Sequence, residues 1–333
     1  MEVYERLKPH LSELETHLQS VLNSEDKRVY SLLGPYLSRG GKRVRPLLVF
    51  LSYFLTKPKP TQKENSLLIE VASIIEFFHN FTLIHDDIED DSQFRRGVPT
   101  LHISHGLAMA LNSGDALYTL LLKRLVNLNL PADRQIIFQK LALESFKEVV
   151  DGQGKEIFWI KENQFDVSES EYLSMIGGKT AALVGFSMRA GSFLASNDEK
   201  TQQKLELFGR KIGLAFQIHD DILNLIGDFE KYKKEIGGDI SEGKRTLMVV
   251  HSLSKASKED RSKLISILSS HTKDSAQIKT AIAIMKKTGS IDYAIAFSRK
   301  LITDAKTQLD SLSDSQYKKD LLLLADYFVS REQ

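Results

Sequence analysis

Residues 67–91 read LLIEVASIIEFFHNFTLIHDDIEDD, an apolar stretch that ends abruptly in acid. Leu67, Val71, Ile74, Ile75 and Phe78 recur at spacings of three and four, which is the period of a helix, and the length of the stretch predicts one that is buried. Five of the six residues from Asp86 to Asp91 are acidic. Asp86 and Asp90 lie four apart and so share a face. Carboxylates gathered at the C-terminal end of a helix repel one another and the negative pole of the helix dipole, a destabilising arrangement unless a cation neutralises it.

The arrangement occurs twice. Ile84-His85-Asp86-Asp87-Ile88 returns as Ile218-His219-Asp220-Asp221-Ile222, too far along the chain to be a solenoid repeat. The second copy also closes an apolar helix, in which Leu205, Phe208, Ile212, Ala215 and Phe216 keep the helical period. Two matched acidic ends are expected to face each other. A cluster of oxygen ligands in a chain without cysteine suits a hard cation, and magnesium takes one or two carboxylates and completes its shell with phosphate and water. The acids therefore predict a phosphate-bearing ligand.

Outward from these two helices the same period continues. Pro46, Pro58, Pro60, Pro99 and Pro131 fall between periodic segments, and no alternating strand with a hairpin turn stands out. The chain reads as all-α, with roughly ten or more helices. Polar stretches at Lys57, Ser196 and Ser254 suit surface loops, none long enough for a linker, so residues 1–333 are expected to form a single helical domain. The C-terminal third, from Val249, carries no chemical motif and reads as paired amphipathic helices. With 333 residues and 42% apolar composition there is ample material for a core. A net charge of +1 gives no global field for nucleic acid. Absence of cysteine excludes disulfides and thiol nucleophiles and fits a reducing compartment. The start, MEVYERLKPH, lacks the pattern of a signal peptide, and no apolar run is expected to approach membrane-spanning length, so a cytoplasmic protein is expected.

Cations supply the counterpart of the acids. GGKRVRP places Lys42, Arg43 and Arg45 after a glycine pair, and Arg95-Arg96-Gly97 follows the first acidic cluster. Most surface cations serve solubility, but forked arginine donors beside acids also grip diphosphate oxygens. GGKT at Gly177 to Thr180 is no phosphate-binding P-loop: that motif needs glycine where Leu173 stands, and a preceding strand.

GGKRVRP, HNFTLIHDDIEDDSQFRRGVPT, GGKTAAL, GLAFQIHDDILNL and GGDISEGKRT together resemble, in order and spacing, the trans-isoprenyl diphosphate synthases of the polyprenyl synthetase family, over about residues 30 to 250. The resemblance implies an isoprenoid synthase fold: a single bundle of long helices around a central apolar cavity, usually as a homodimer. It implies condensation of isopentenyl diphosphate with an allylic primer (dimethylallyl, geranyl or farnesyl diphosphate), assisted by about three magnesium ions. Residue by residue it makes Asp86, Asp90 and Asp220 the metal ligands, with Asp87, Asp221 and Asn224 behind them. Arg95, Lys179, Lys234 and Lys244 hold the allylic diphosphate, and Lys42, Arg45, His79 and Arg96 the isopentenyl one. Thr180 and Gln217, with Lys179, are the expected catalytic groups.

Asn224 departs from the pattern, standing where many members have a third aspartate, and implies a retuned site. Glu89 lies between ligand positions, and His85 and His219 take no role; His79 takes one only from its place in the family. Phe81 sits five residues before Asp86, about 7.5 Å back along the helix. With Thr82, and with Phe77 and Phe78 a turn deeper, it resembles the floor of geranylgeranyl diphosphate synthases and implies a twenty-carbon product, with farnesyl or longer-chain products as alternatives. A class I terpene cyclase shares the metal motifs but needs no second diphosphate site; a helical phosphohydrolase needs more histidine ligands; a non-catalytic subunit would have lost metal ligands, and none of the expected ones is missing here.

Overall fold

A computed structural model of the chain describes residues 2–226 and 237–330. It is helical nearly throughout, as expected. Two compact units emerge, one of Met1–Leu143 with Ser187–Gln203, the other of Glu144–Phe186 with Lys204–Gln333.

In the first unit α1 (Glu2–Asn23), α4 (Val44–Thr56) and α7 (Leu107–Val126) pack around α5 (Gln62–Glu89). At 28 residues α5 is about 42 Å long. It starts in a capping box, in which the Thr61 side chain accepts from the Glu64 N–H while the Glu64 carboxylate accepts from the Thr61 N–H. Most of its apolar side chains are buried, Leu68, Ile75, Phe77 and Phe78 completely. An 18-residue window of α5 has a mean hydropathy of 1.6 and is long and apolar enough to cross a membrane; 67% of it is buried in the fold. The expectation of no run of that length fails here, because Glu70, Glu76 and His79 interrupt the apolar letters without breaking the helix.

The sequence reading also missed a hairpin. Past α5 the chain forms two two-residue strands, β1 (Phe94–Arg95) and β2 (Val98–Pro99), paired antiparallel. Arg96 and Gly97 join them with φ of +54° and +75°. Positive φ at both central residues is the requirement of a tight turn whose twist matches a hairpin. This turn is what carries Arg95 and Arg96.

The second unit is built on α9 (Glu169–Ile176), α11 (Glu199–Ile226, most of which lies here) and the C-terminal helices Leu247–Lys255, Lys258–Ser269, Ser275–Lys287, Ser290–Lys306 and Gln316–Ser330. Tyr172, Met175, Ile218, Ile222, Leu247 and Met285 belong to one buried cluster. The motif-free C-terminal third is thus amphipathic helix, as its periodicity predicts.

Candidate active site

In the first unit, Asp86, Asp87 and Asp90 close α5, with Asp90 as its C-cap. Arg95 binds the first two: its Nε donates to Asp87 at 2.5 Å and a terminal nitrogen donates to Asp86 at 3.0 Å. Asp87 is buried, and the Tyr36 hydroxyl donates to it at 3.4 Å. Burial raises the Asp87 carboxyl above its ordinary range, and Asp86 adds to the push; Arg95 opposes it. Asp87 therefore faces inward while Asp86 keeps an exposed edge.

A second group of cations lies on the same unit. Arg45 reaches His79 at 3.2 Å, and its Nε is buried without a partner. Burial pushes Arg45 down to about 10. Burial also holds the His79 imidazole well below its ordinary 6.5, reinforced by Arg45, Arg96 and Arg95. Arg96 folds back to donate to the Gly40 carbonyl, placed by the hairpin turn. Four guanidinium groups, those of Arg45, Arg96, Arg95 and Arg43, bear on one neutral imidazole and make a region that favours an anion. Lys42 stands exposed beside it in sequence. Arg43, the middle cation of GGKRVRP, turns the other way and is buried against Glu15 and Glu76.

The depressed imidazole fixes a pH dependence. His79 is neutral when folded, whereas in the unfolded chain it takes a proton as pH falls through 6.5, so the folded state loses stability below that pH. Melting of the free protein is expected to fall between pH 7 and pH 5, and His79→Gln to flatten that fall. An unchanged acid slope in the variant would refute the assignment.

In the second unit the GGKTA segment is a single π turn, Gly177–Ala181, inserted between α9 and α10 (Ala182–Ala195). Such turns recur at functional sites. The Thr180 hydroxyl donates to the Gln217 carbonyl oxygen at 2.8 Å, and the Gln217 amide donates to Asp221 at 2.9 Å. The Tyr172 hydroxyl reaches the other Asp221 oxygen at 3.1 Å. Burial pushes Asp221 well above the usual carboxylate range, with Asp239 and Asp220 adding to it. Asp220, the neighbouring position, is only half-buried. Asn224 accepts from the Asp239 N–H at 3.1 Å, and its own carbonyl accepts from Gly237 at 2.7 Å. Its observed use is to clamp the Gly237–Asp239 turn onto α11. Lys244 pairs with Glu242 and lies 3.9 Å from Asp239; Lys234 lies outside the described residues.

Sequence reasoning passed over several of these partners. Lys179 is bound by Glu156, a buried acid on α8 (Ala132–Lys161), and one turn back Gly152 lies against the π turn itself. A Cβ on Gly152 would sit 2.2 Å from the Lys179 nitrogen and 2.7 Å from the Met175 oxygen. The signal was GQGKE at 152–156, a glycine pair within a long helix. Gly152→Ala is expected to cost about 1–3 kcal/mol and to displace Lys179; urea denaturation together with turnover would measure both, and wild-type values would overturn this account.

Among the described residues no three Asp, Glu, His or Cys side chains converge on one metal position. The acids still fit magnesium, which needs few protein ligands when a phosphate-bearing substrate supplies the rest.

The model of the family described as polyprenyl synthetase matches residues 26–285. The chain belongs to the polyprenyl synthetase family. Within the family it is 38% identical over 298 residues to a short chain isoprenyl diphosphate synthase of Methanothermobacter thermautotrophicus, covering 89% of this chain and 88% of that one. It is 33% identical over 316 residues to a geranylfarnesyl diphosphate synthase of Natronomonas pharaonis, covering 92% and 90%. The crystal structure of a geranylgeranyl pyrophosphate synthetase from Pyrococcus horikoshii superposes with a TM-score of 0.90 at 33% identity, covering 99% of this chain and 98% of that one. This likeness bears out the all-α isoprenoid synthase fold expected from periodicity and motifs.

Proposed function

We propose that this polyprenyl synthetase elongates prenyl chains, joining isopentenyl diphosphate head-to-tail to an allylic diphosphate with geranylgeranyl diphosphate as the product. The observation that carries the reading is the Arg45–His79–Arg96 region: cations additional to Arg95, which is engaged by Asp86 and Asp87, as a second substrate that keeps its diphosphate requires. A terpene cyclase has no use for it.

In this reading Asp86, Asp90 and Asp220 are the metal ligands, Asp87, Asp221 and Asn224 support them, and Arg95, Lys179, Lys234 and Lys244 hold the allylic diphosphate. Magnesium, about three ions in the family, would neutralise charge developing on the leaving diphosphate. Lys42, Arg45, His79 and Arg96 hold the homoallylic substrate, His79 as a neutral donor among cations. Loss of diphosphate leaves a resonance-stabilised allylic cation; the isopentenyl alkene attacks it, and loss of a proton, for which the departed diphosphate is a base, restores an alkene. Thr180 and Gln217 orient oxygen dipoles toward the cation, and their mutual hydrogen bond keeps those dipoles preorganised. No protein nucleophile is used.

Phe81, with Thr82, Phe77 and Phe78, closes the channel for the growing tail. The boundaries between the compact units fall inside α8, α10 and α11, which supports one catalytic domain. Leu107, Leu111, Ile136 and Ile137, each about half exposed on α7 and α8, support a homodimer, and the reading places the enzyme in the cytosol. Incubation with magnesium, radiolabelled isopentenyl diphosphate and each of the three primers is expected to give a labelled twenty-carbon alcohol after dephosphorylation. No incorporation with any primer would sink the proposal.

A further inference from the structure

Gly114 lies in the middle of α7, where glycine is among the poorest helix formers. It has a packing reason. A Cβ built there would fall 2.2 Å from Nε2 and 2.4 Å from Cδ2 of His85, so the His85 ring occupies the place of the missing side chain. No hydrogen bond holds the imidazole in this seat: its Nε2 is buried without a partner, and Asp115 stands 3.6 Å away. Packing, with Asp115 nearby, fixes it.

The seat has a second rung. Phe81 lies one turn before His85 on α5, and Tyr118 one turn after Gly114 on α7. The His85 ring meets the Phe81 ring edge-on at 4.7 Å between centroids, and Phe81 packs on Tyr118 at 4.9 Å and on Phe78 at 5.6 Å. Phe81 is thus held from three directions, and one of those supports depends on the notch at Gly114.

We propose that Gly114 is a specificity-determining positioning residue: by seating His85 it holds the Phe81 ring in place and thereby sets the length at which chain growth stops. The proposal rests on the elongation reading above. An alanine methyl at 114 drives the imidazole off α7, Phe81 loses its edge contact, and the floor loosens.

The test is a cycle of Gly114→Ala, His85→Ala and the double variant, with Phe81→Ala setting the scale of a fully opened floor. Product chain lengths are read by chromatography and melting temperature is read independently. Gly114→Ala is expected to broaden the products upward by about one five-carbon unit, His85→Ala to do the same, and the double variant to go no further than His85→Ala alone. Melting should show a change of sign: alanine at 114 lowers the melting temperature while His85 is present and raises it once His85 is alanine. A wild-type product profile in folded Gly114→Ala, additive product shifts, or the same sign of melting effect in both backgrounds overturns the proposal. If Gly114→Ala does not fold, recovery of folding in the double variant supports the seat, and an unchanged profile in His85→Ala overturns the specificity role. A wild-type chain that elongates nothing defeats the function and the specificity role together, while the melting cycle still decides whether His85 sits in the notch.

Discussion

Asp86→Ala is expected to lower kcat by about 10³-fold, the scale seen when a group stabilising developing charge is removed. Asp86 lies in the last turn of a 28-residue helix whose dipole disfavours it, has Asp87 as its neighbour, and pairs with Arg95. The variant should melt at or slightly above the wild-type temperature, because a repulsive charge has left the negative end of α5. The Michaelis constant for isopentenyl diphosphate should hold steady, since Arg45, His79 and Arg96 are untouched. Steady-state kinetics with each substrate varied in turn decides the matter. A kcat within tenfold of wild type would remove Asp86 from the catalytic machinery.

Arg43→Met should be the most damaging single change to stability, at about 3–5 kcal/mol. Arg43 donates from Nε to Glu15 at 2.5 Å, from one terminal nitrogen to Glu76 at 2.6 Å and from the other to the Leu37 carbonyl at 2.6 Å. Glu76 is 2% exposed, in the middle of α5. Without the guanidinium it is a buried carboxylate whose remaining hydrogen-bond donor is the Asn80 amide, at 3.0 Å. Arg43→Met combined with Glu76→Met should recover most of the loss, because the cost lies in the stranded charge. Urea denaturation of the two single variants and the double would show it. Additive losses would mean that the backbone at Arg43, with its φ of +43°, is what fails.

The contrast between Arg43 and Arg45 marks where the sequence stops being legible. Both are arginines in GGKRVRP and neither letter says which way the side chain turns. The left-handed backbone at Arg43 and two acids far along the chain, Glu15 and Glu76, decide it. Helix period and the paired aspartates could be read because they are local: a spacing of three and four, or five acids in six residues, needs no partner elsewhere. The hairpin at Arg95–Val98 escaped because its strands are two residues long, too short to show alternation. Glu156 escaped because its role is to meet Lys179, and Tyr172 because its hydroxyl meets Asp221, 49 residues along the chain. The clamp formed by Asn224 depends on a backbone N–H, which no side-chain motif records.

The π turn at Gly177–Ala181 has a consequence for how this segment tolerates change. It is a phase slip: an extra residue carried within one turn, after which the helix resumes with its faces offset. Thr180 is buried against Gln217 only because that offset is present, and Gly178 nests on α8 for the same reason. Substitutions there act locally. Loss of one residue would return the helix to its ordinary pitch and rotate every side chain beyond it by about 100°, so a scan of single deletions should find its sharpest intolerance here.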